Sequence, residues 1–258
     1  MRKLLELISR KIVLKRHLPK QFGGDPIYVS PDSALRYWSY HVEKYDPLLF
    51  RICQEMVKPG FVVWDIGANI GLFTFASAYL SGSAGRVISI EPDMFCIDLL
   101  KRSLVAGYSK RAKIDILPIA ISDTIGMSDF YIAKRGRATN FLSGTNGTTD
   151  SGGIREVHSV LTLTLDWLLN YLPPPDILKI DVECSEDRVL FGATNILRTI
   201  RPVILCETTE GPLRNMVNCF LKKDYVLYDI DSGLGQNIIA LPKEQPPINY
   251  PLSIFMTY

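Results

Sequence analysis

Short apolar runs alternate with helix-like segments along most of the chain from residue 61 onward. The runs predict strands at residues 61–66, 86–92, 113–121, 177–182 and 202–207. Helix-like periodicity fills three of the gaps, at residues 70–80, 94–107 and 186–199. Continuous apolar strands that alternate with helices are typical of a parallel sheet covered on both faces. The pattern therefore predicts an α/β fold with a mostly parallel, doubly wound sheet.

A long insertion, residues 124–172, separates the third and fourth of these strands. Two stretches within it, 127–133 and 155–166, alternate apolar and polar positions as half-exposed strands do. The Gly/Ser/Thr/Asn-rich sequence between them predicts a loop that lies over a bound ligand and becomes ordered with it. The polar loop residues expected to contact the ligand are Arg135, Arg137, Thr139 and Asn140.

The two ends of the chain lie outside this repeating pattern. Apolar runs at 225–230 and 252–258 predict an antiparallel hairpin that closes one edge of the sheet. Residues 1–45 are predicted to form a basic, helical extension of a domain at 46–258. Its first twenty residues hold seven Lys or Arg and no apolar run long enough for a signal peptide or a membrane span. A helix packed on the domain is expected, with weak contact to a membrane surface as the alternative.

The charge balance bears on the partners of the protein. The 258 residues include 29 basic and 27 acidic side chains, for a formal net charge of +2. Proteins that bind nucleic acid need a basic excess to neutralise phosphates, so no nucleic-acid partner is expected. The five cysteines lack the C-x-x-C spacing of a metal site. Free thiols in a reducing compartment are the simplest interpretation, which predicts a cytoplasmic protein.

A glycine-containing turn follows the first predicted strand of the sheet. Asp65 closes the strand, and the spacing Gly67-x-Asn69-x-Gly71 leads into the next helix. Glycines let the backbone turn sharply and let a ligand approach it closely. The dinucleotide fingerprint G-x-G-x-x-G is absent, which weakens the hypothesis of a nicotinamide dehydrogenase. A carboxylate before the turn suits a cation, such as the sulfonium and amino groups of S-adenosylmethionine.

The second predicted strand ends in another acid. Glu91 lies twenty residues after Gly71, where a carboxylate can accept hydrogen bonds from both hydroxyls of a ribose. NAD and S-adenosylmethionine both contain this ribose, so Glu91 alone does not discriminate between them. Together with Asp65 and the glycine turn, Glu91 favours S-adenosylmethionine as the cofactor.

The fourth strand ends in a cluster of acids, in the sequence ILKIDVECSE. Because burying an unpaired carboxylate costs several kcal/mol, Asp181 and Glu183 are expected to face a ligand. They are the candidate catalytic residues, which would orient a hydroxyl group and accept its proton. His158 is a further candidate base. A Mg²⁺ ion held by Asp181 together with Glu207 is a less favoured alternative.

Six motifs resemble those of the FkbM-type S-adenosylmethionine-dependent methyltransferases in their order and spacing. They are DIGANIGLF, IEPD, AISDTIG, LTLDWLL, LKIDVE and RPVILCE, within roughly residues 40–210. The resemblance implies a Rossmann-like class I methyltransferase, with a seven-stranded sheet and a small β insertion. In that arrangement the ends of the first and fourth strands meet beside the cofactor. Asp181 and Glu183 would then face the methyl group.

The resemblance also implies which residues bind S-adenosylmethionine. They are Asp65, Gly67, Ala68, Asn69 and Gly71 for the methionine part, Glu91 and Pro92 for the ribose, Ile121 and Ser122 beside the adenine, and Asp181 near the methyl group. One position departs from the family pattern, because Cys184 stands where the family usually has Gly. The course of the turn after Glu183 is therefore in doubt.

The activity implied by the resemblance is O-methylation of a hydroxyl group on a small molecule or glycan, such as a sugar or a polyketide-type natural product. One alternative is an N-methyltransferase, although Asp181-Val182-Glu183 stands where such enzymes often have Asn/Asp-Pro-Pro-aromatic. Another is a non-catalytic module that binds S-adenosylmethionine or a nucleotide. The intact acids at the strand ends argue against that module.

Overall fold

The main sheet of the protein contains eight strands within the described residues. The computed structural model describes residues 8, 10, 12–145, 151–207, 210–230, 237–245 and 253–256. With strands numbered along the chain, the spatial order of the sheet is β14 (Ser253–Met256), β12 (Tyr225–Asp229), β13 (Asn237–Pro242), β11 (Val203–Glu207), β10 (Ile177–Ile180), β3 (Val62–Ile66), β4 (Arg86–Ile90) and β5 (Lys113–Leu117). The predicted α/β class is confirmed, and the predicted count of seven strands is one too low.

Five consecutive strands, from β11 to the edge strand β5, are parallel, as the sequence pattern predicts. β11, β10, β3, β4 and β5 pair in parallel register, whereas β13 pairs antiparallel with both β11 and β12. Because successive side chains of a strand point to opposite faces, each apolar run supplies both sides of the sheet. One face buries Trp64, Ile88, Leu178 and Ile204, and the other buries Val63, Val87, Ile177 and Leu205.

Helices cover both faces of the sheet. Those on the Val63 face are α1 (Pro47–Met56), α2 (Leu72–Ser81) and α3 (Met94–Ala106), and those on the Trp64 face are α4 (Leu165–Leu168), α5 (Glu186–Phe191) and α6 (Glu210–Leu221). Shorter 3₁₀ turns lie at Lys20–Phe22, Leu35–Trp38, Val42–Lys44 and Arg137–Thr139, and a π-helical turn lies at Ile196–Ile200. The helix predicted at 186–199 is thus two separate pieces. α6 was not predicted.

The segment before α1 is part of the main hydrophobic core. β1 (Leu14–His17) and β2 (Pro26–Val29) form an antiparallel hairpin, so the helix predicted for this basic region is wrong at the residues of these two strands. The reason is visible in β1, whose side chains alternate between half-buried and exposed as in an edge strand. Phe22 and Ile27 lie in the same buried cluster as α2 and α3. Residues 1–7, which carry part of the predicted membrane contact, lie outside the described residues.

The insertion forms the predicted small sheet. The sheet also includes β6 (Ala120–Ile121), which precedes the insertion, and its spatial order is β6, β9 (Ile154–Leu163), β7 (Gly126–Ala133) and β8 (Phe141–Leu142). β7 and β9 pair antiparallel along nearly their whole length, which confirms both predicted strands. The strand predicted at 113–121 is divided into β5 and β6, with Pro118 in the gap. Proline has no N–H to donate to a strand ladder, so it favours this break.

The C-terminal edge is more elaborate than a hairpin. β12 and β14 do pair antiparallel as predicted, but β13 was not predicted and lies between β12 and β11. β13 supplies buried Ile238 and Ile239 to opposite faces of the sheet. Among the residues that the structure describes, no helix has both the length and the apolar character needed to cross a membrane.

Candidate active site

The turn after β3 lies against the end of β10. Gly67 and Gly71 have φ of 76° and 91°, in the left-handed region that favours glycine. A Cβ atom on Gly67 would lie 1.8 Å from the carbonyl oxygen of Asp181. No side chain fits at that distance, so glycine is needed to bring the turn and the acidic strand end together. The predicted meeting of the first and fourth core strands is therefore present.

A cavity opens at the carboxyl ends of β3, β4 and β10. Its wall includes seven of the predicted site residues, namely Gly67, Asn69, Glu91, Pro92, Ile121, Asp181 and Glu183. Apolar side chains form one side of the cavity, from Ile66, Ile90, Ile119, Phe130 and Leu142. A concave site with an apolar side and a few converging polar groups is typical of cofactor binding.

Glu91 is the most deeply buried acid in the cavity wall. Its two carboxylate oxygens accept hydrogen bonds from the backbone N–H groups of Asn69 and Asp93, each at 2.8 Å. Burial, followed by the nearby Asp93 carboxylate, raises the pKa of Glu91 to about 8. Each oxygen has a second lone pair, so the carboxylate retains capacity to accept two hydroxyl donors.

Asp65 does not line the cavity, contrary to the prediction of direct contact with the cofactor. Its side chain is fully buried, and the Thr74 hydroxyl of α2 donates to it at 2.6 Å. Lys179 is the partner of Asp65 in the β3–β10 register, and its Nζ lies 3.4 Å from the Asp65 carboxylate. The alternation of strand side chains turns Asp65 toward α2 and away from the cavity.

Lys179 connects the two strand ends and is not among the residues predicted from the sequence. Its Nζ donates to the Gly67 carbonyl oxygen and to Asp181 Oδ2, both at 3.1 Å. Burial alone would lower the pKa of this lysine, but the Asp181 and Asp65 carboxylates outweigh it and raise the pKa above its usual range. Lys179 therefore stays charged and fixes the position of Asp181. A lysine inside the apolar run ILKI was the signal that could have identified it.

Three other predicted cofactor residues lie behind the cavity wall. Ala68 and Ser122 are buried, and the Ser122 hydroxyl donates to Asp123 at 2.9 Å. Gly71 is the N-terminal cap of α2, where a Cβ atom would lie 2.5 Å from the Leu100 side chain. None of the three lines the cavity, and Ala68 and Gly71 belong to the turn that shapes it.

The turn after β10 has an unusual backbone. Glu183 and Cys184 have φ of 52° and 67°, a conformation that costs a non-glycine residue roughly 1–2 kcal/mol. Glu186 lies below the turn and accepts a hydrogen bond from the Cys184 N–H at 3.2 Å. Burial raises the pKa of Glu186 to about 7. Cys184 thus adopts a left-handed conformation, although the family that the sequence resembles usually has glycine at this position.

A second cleft adjoins the cavity near the ends of β10 and β11. It is lined by Arg36, Tyr45, Asp46, Pro47, Leu48, Leu49, Ile52, Asp181, Leu205, Glu207 and Asn237. Three of these residues, Arg36, Asp181 and Glu207, also line the first cavity. They mark the junction of the two spaces. Arg36 has no local signal in the sequence, because it lies in the region predicted as an extension.

Glu207 lies at the end of β11, beside Asp181. The Asp181 carboxylate, followed by partial desolvation, raises the pKa of Glu207 to about 7. Within the described residues, no group of three or more His, Cys, Asp or Glu side chains is arranged to hold a metal ion. The Mg²⁺ alternative rests on Asp181 and Glu207 alone.

A buried ionic network closes another side of the cavity. Arg137 donates to both oxygens of Asp93, at 2.8 and 2.7 Å, and to Asp32 at 2.8 Å. Arg155 binds Asp32 through two further hydrogen bonds, and Asn140 donates to Asp93 at 2.9 Å. Arg137 and Asn140 both line the cavity, and both already donate hydrogen bonds to Asp93. The predicted contacts of the loop with an acceptor stay a prediction.

His158 is not in the lining of either cavity. It is on β9, 41% exposed, with Nε2 3.2 Å from Glu156. Its register partner on β7 is Phe130, which does line the first cavity. The catalytic role of His158 therefore stays a prediction.

The doubly wound sheet, the glycine turn and the strand-end acid define a Rossmann-like fold of the class I methyltransferase type. Residues 65–227 match the family model of the methyltransferase FkbM domain. The match covers more than half of the chain, so the chain belongs to this family. The resemblance stated from the six motifs is confirmed.

Individual proteins that resemble the chain have low sequence identity to it. The chain is 27% identical to the hexuronic acid methyltransferase AglP of Haloferax volcanii over 159 residues, and this covers 61% of the chain and 60% of that protein. The crystal structure of a methyltransferase FkbM from Methylobacillus flagellatus is 14% identical, with 74% of this chain and 50% of that one covered and a TM-score of 0.48. A precorrin-6y C5,15-methyltransferase from Geobacter metallireducens is 11% identical, with 78% and 90% covered and a TM-score of 0.46.

Proposed function

We propose that the protein transfers a methyl group from S-adenosylmethionine to a hydroxyl group of a small molecule or glycan, with a sugar as the favoured acceptor. The observation that carries the proposal is Glu91 in the wall of the same cavity as Gly67 and the acidic residues that follow β10. A nucleoside needs a diol acceptor, an apolar slot and a close backbone turn, and the cavity offers all three.

The residues suit each part of this cofactor. Glu91 would accept hydrogen bonds from the ribose hydroxyls, and the apolar group around Ile119, Ile121 and Phe130 would contact the adenine. The turn at Gly67–Asn69 would hold the methionine part, next to Asp181. When bound, S-adenosylmethionine supplies a methyl group on a positively charged sulfur, which is the hard part of the chemistry.

The protein then has to align the acceptor and handle its proton. Alignment of two bound reactants is worth about 7–11 kcal/mol of the barrier. Asp181, which Lys179 holds in place at 3.1 Å, would orient the acceptor hydroxyl toward the methyl group. Glu183 lies on the same wall and would contribute a second acceptor of hydrogen bonds.

A sugar acceptor is favoured by the AglP likeness, because that relative is a hexuronic acid methyltransferase. A uronic acid offers two kinds of oxygen, since methylation of its carboxylate gives an ester and methylation of a hydroxyl gives an ether. We expect methylation of a hydroxyl, which gives the ether.

The test uses S-adenosylmethionine labelled in the methyl group, with glucuronic acid, galacturonic acid, glucose and a lysine-containing peptide as separate acceptors. Mass spectrometry should find label on a sugar, and the product should survive alkaline hydrolysis, because an ether is stable where an ester is not. The Glu91→Ala variant is the control for cofactor binding. Label on the peptide amine, or an alkali-labile product, would contradict O-methylation. Cofactor binding without transfer to any acceptor would favour a binding module.

A further inference from the structure

The junction between the two cavities limits where methyl transfer can occur. If the first cavity holds the cofactor, as proposed above, the acceptor has to approach from the second cleft. Only three residues, Arg36, Asp181 and Glu207, line both spaces within the described part of the chain. The methyl group and the acceptor oxygen would therefore meet beside these side chains.

The two carboxylates at the junction differ in their surroundings. Asp181 Oδ2 already accepts a hydrogen bond from Lys179 Nζ, which ties Asp181 to the turn at Gly67. Glu207 lies one strand further from the cofactor turn, at the end of β11 and in register with Asn237 of β13. Its side chain is accessible from the cleft. Asp181 is thus suited to hold position, and Glu207 is suited to receive a proton.

The rest of the cleft indicates what kind of acceptor fits. Tyr45, Asp46 and Asn237 supply polar groups on one side, as a polyhydroxylated molecule requires. Arg36 lines the cleft together with the two carboxylates, and its guanidinium carbon lies 5.6 Å from the centroid of the Tyr37 ring. The Asp46 and Glu207 carboxylates act on Arg36, but within the described residues neither forms an ion pair with it at salt-bridge distance, so its charge can also attract an anionic group of an acceptor.

We infer that the second cleft is the acceptor site and that Glu207 is the catalytic residue that takes the proton of the acceptor hydroxyl. The O–H bond breaks and its proton passes to a Glu207 carboxylate oxygen. The acceptor oxygen forms a bond to the methyl carbon while the carbon–sulfur bond breaks and its electron pair returns to sulfur. The products are a methyl ether, S-adenosylhomocysteine and protonated Glu207. This inference rests on the proposed function for its reaction and extends it to a base and a site.

The charged groups that face Glu207 set the pH at which it can act. They are Lys179 of β10, Asp181 directly after β10, Arg36 of the 3₁₀ turn at Leu35–Trp38, and Asp46, the N-terminal cap of α1. Asp181 is the largest influence and raises the pKa of Glu207, whereas Lys179 and Arg36 oppose the rise. A carboxylate with a pKa near the working pH is a better proton acceptor than an ordinary one and is still largely ionised above neutrality.

The first experiment needs no acceptor. Protein labelled with ¹³C at the glutamate side-chain carboxyl is titrated by NMR, and the Glu207→Gln variant identifies the Glu207 resonance by its loss. We expect that resonance to titrate near pH 7 and to move to lower pH in Asp181→Asn, because the largest cause of the shift is removed. A Glu207 resonance that titrates at the ordinary value near 4.5, in the wild type, overturns the inference.

The second experiment measures single-turnover transfer to glucuronic acid between pH 5.5 and 9. Glu207→Gln should slow transfer by about 10²–10⁴-fold and remove the acidic limb of the pH profile, while cofactor affinity by calorimetry stays within about threefold. Glu55→Gln, an exposed acid on α1, is the matched control and should behave as the wild type. Transfer by Glu207→Gln at the wild-type rate overturns the inference. Absence of transfer by the wild type contradicts the proposed acceptor instead, and the NMR titration then decides the role of Glu207.

Discussion

Glu91 is subject to two opposing influences in the cavity wall. Two backbone N–H groups favour its ionised form, and burial together with Asp93 favours the neutral form. The second influence is stronger, so the pKa of Glu91 is raised to about 8. A ligand that donates hydroxyl hydrogen bonds to Glu91 favours the carboxylate and therefore has to release a proton below that pH.

Cofactor binding should consequently depend on pH through Glu91. Below pH 8 the affinity for S-adenosylhomocysteine should weaken by up to about tenfold per pH unit, because the bound form needs the ionised carboxylate. Above pH 8 the affinity should level off. Calorimetry from pH 6 to pH 9 measures this, and Glu91→Gln should bind weakly with no such dependence. An identical pH profile in Glu91→Gln would remove Glu91 from the cofactor site.

Cys184 provides a test of backbone strain at single-residue resolution. Its φ of 67° is a conformation that glycine adopts without a Cβ penalty, so Cys184→Gly should raise the free energy of unfolding by about 1 kcal/mol. Turnover should stay near the wild-type value. Cys219→Gly is the matched control, because Cys219 is in α6, where glycine is unfavourable, and it should lower the free energy of unfolding. Chemical denaturation measures both, and a loss of stability in Cys184→Gly would contradict the assigned conformation.

At the scale of elements, one buried ionic network joins three parts of the chain. Arg137 belongs to the insertion, Asp93 begins α3, and Asp32 follows the β1–β2 hairpin. The side chains of Arg137 and Asp93 are 10% and 1% exposed. A buried pair of this kind contributes little net stability when intact, but removal of one partner leaves a buried charge uncompensated.

Arg137→Ala should therefore lower the free energy of unfolding by about 3–5 kcal/mol. It should also weaken cofactor binding, because Arg137 lines the cavity. The matched control is Arg102→Ala, whose pair with Asp98 is 50% and 55% exposed, and its effect should stay below about 1 kcal/mol. Urea denaturation of both variants measures the difference. Equal losses would show that the network adds nothing beyond a surface ion pair.

Each element that was predicted correctly has a signal in its own residues, which is visible without knowledge of the fold. β3, β4, β10 and β11 are continuous apolar runs, and such runs are legible because both faces of these strands are buried. β1 has one apolar residue, Leu14, followed by three basic ones, so its sequence shows no strand alternation and suits an amphipathic helix until the partner strand β2 is known. α6 contains Gly211 and Pro212 near its start, which are weak helix signals, and its buried Met216 and Phe220 acquire their partners only in the folded state.

The residues of the candidate site differ in the same way, because only some of them have a local signal in the sequence. Gly67, Glu91 and Asp181 were predicted because each stands at the end of an apolar strand. Arg36 and the direction of the Asp65 side chain could not be predicted, since the first depends on how the N-terminal segment packs and the second on which face of β3 meets α2.

At the scale of the whole molecule, the N-terminal segment and the sheet form one hydrophobic core. Phe22 is 1% exposed, and its ring stacks on Phe50 of α1 with 5.0 Å between centroids. The domain boundary expected at residue 45 therefore has no gap in packing to mark it. A residue of the predicted extension should affect the stability of the entire domain.

Phe22→Ala should lower the free energy of unfolding of the whole protein by about 3–5 kcal/mol, in a single transition followed by both fluorescence and circular dichroism. Val105→Ala, at a position that is 85% exposed, is the control and should change stability by less than about 0.5 kcal/mol. If the main transition were unchanged in Phe22→Ala, the N-terminal segment would be an independent unit.

The position of Asp32 has a consequence for the order in which a newly made chain can fold. This carboxylate leaves the ribosome early, but its two arginine partners, Arg137 and Arg155, are more than a hundred residues away. The β1–β2 hairpin also waits for α3, against which it packs. Contacts of such long sequence separation form slowly because the intervening chain has to be ordered first. Until Arg155 has emerged, the nascent chain carries an acid that has no burial site, so we expect the cofactor cavity to close late in synthesis.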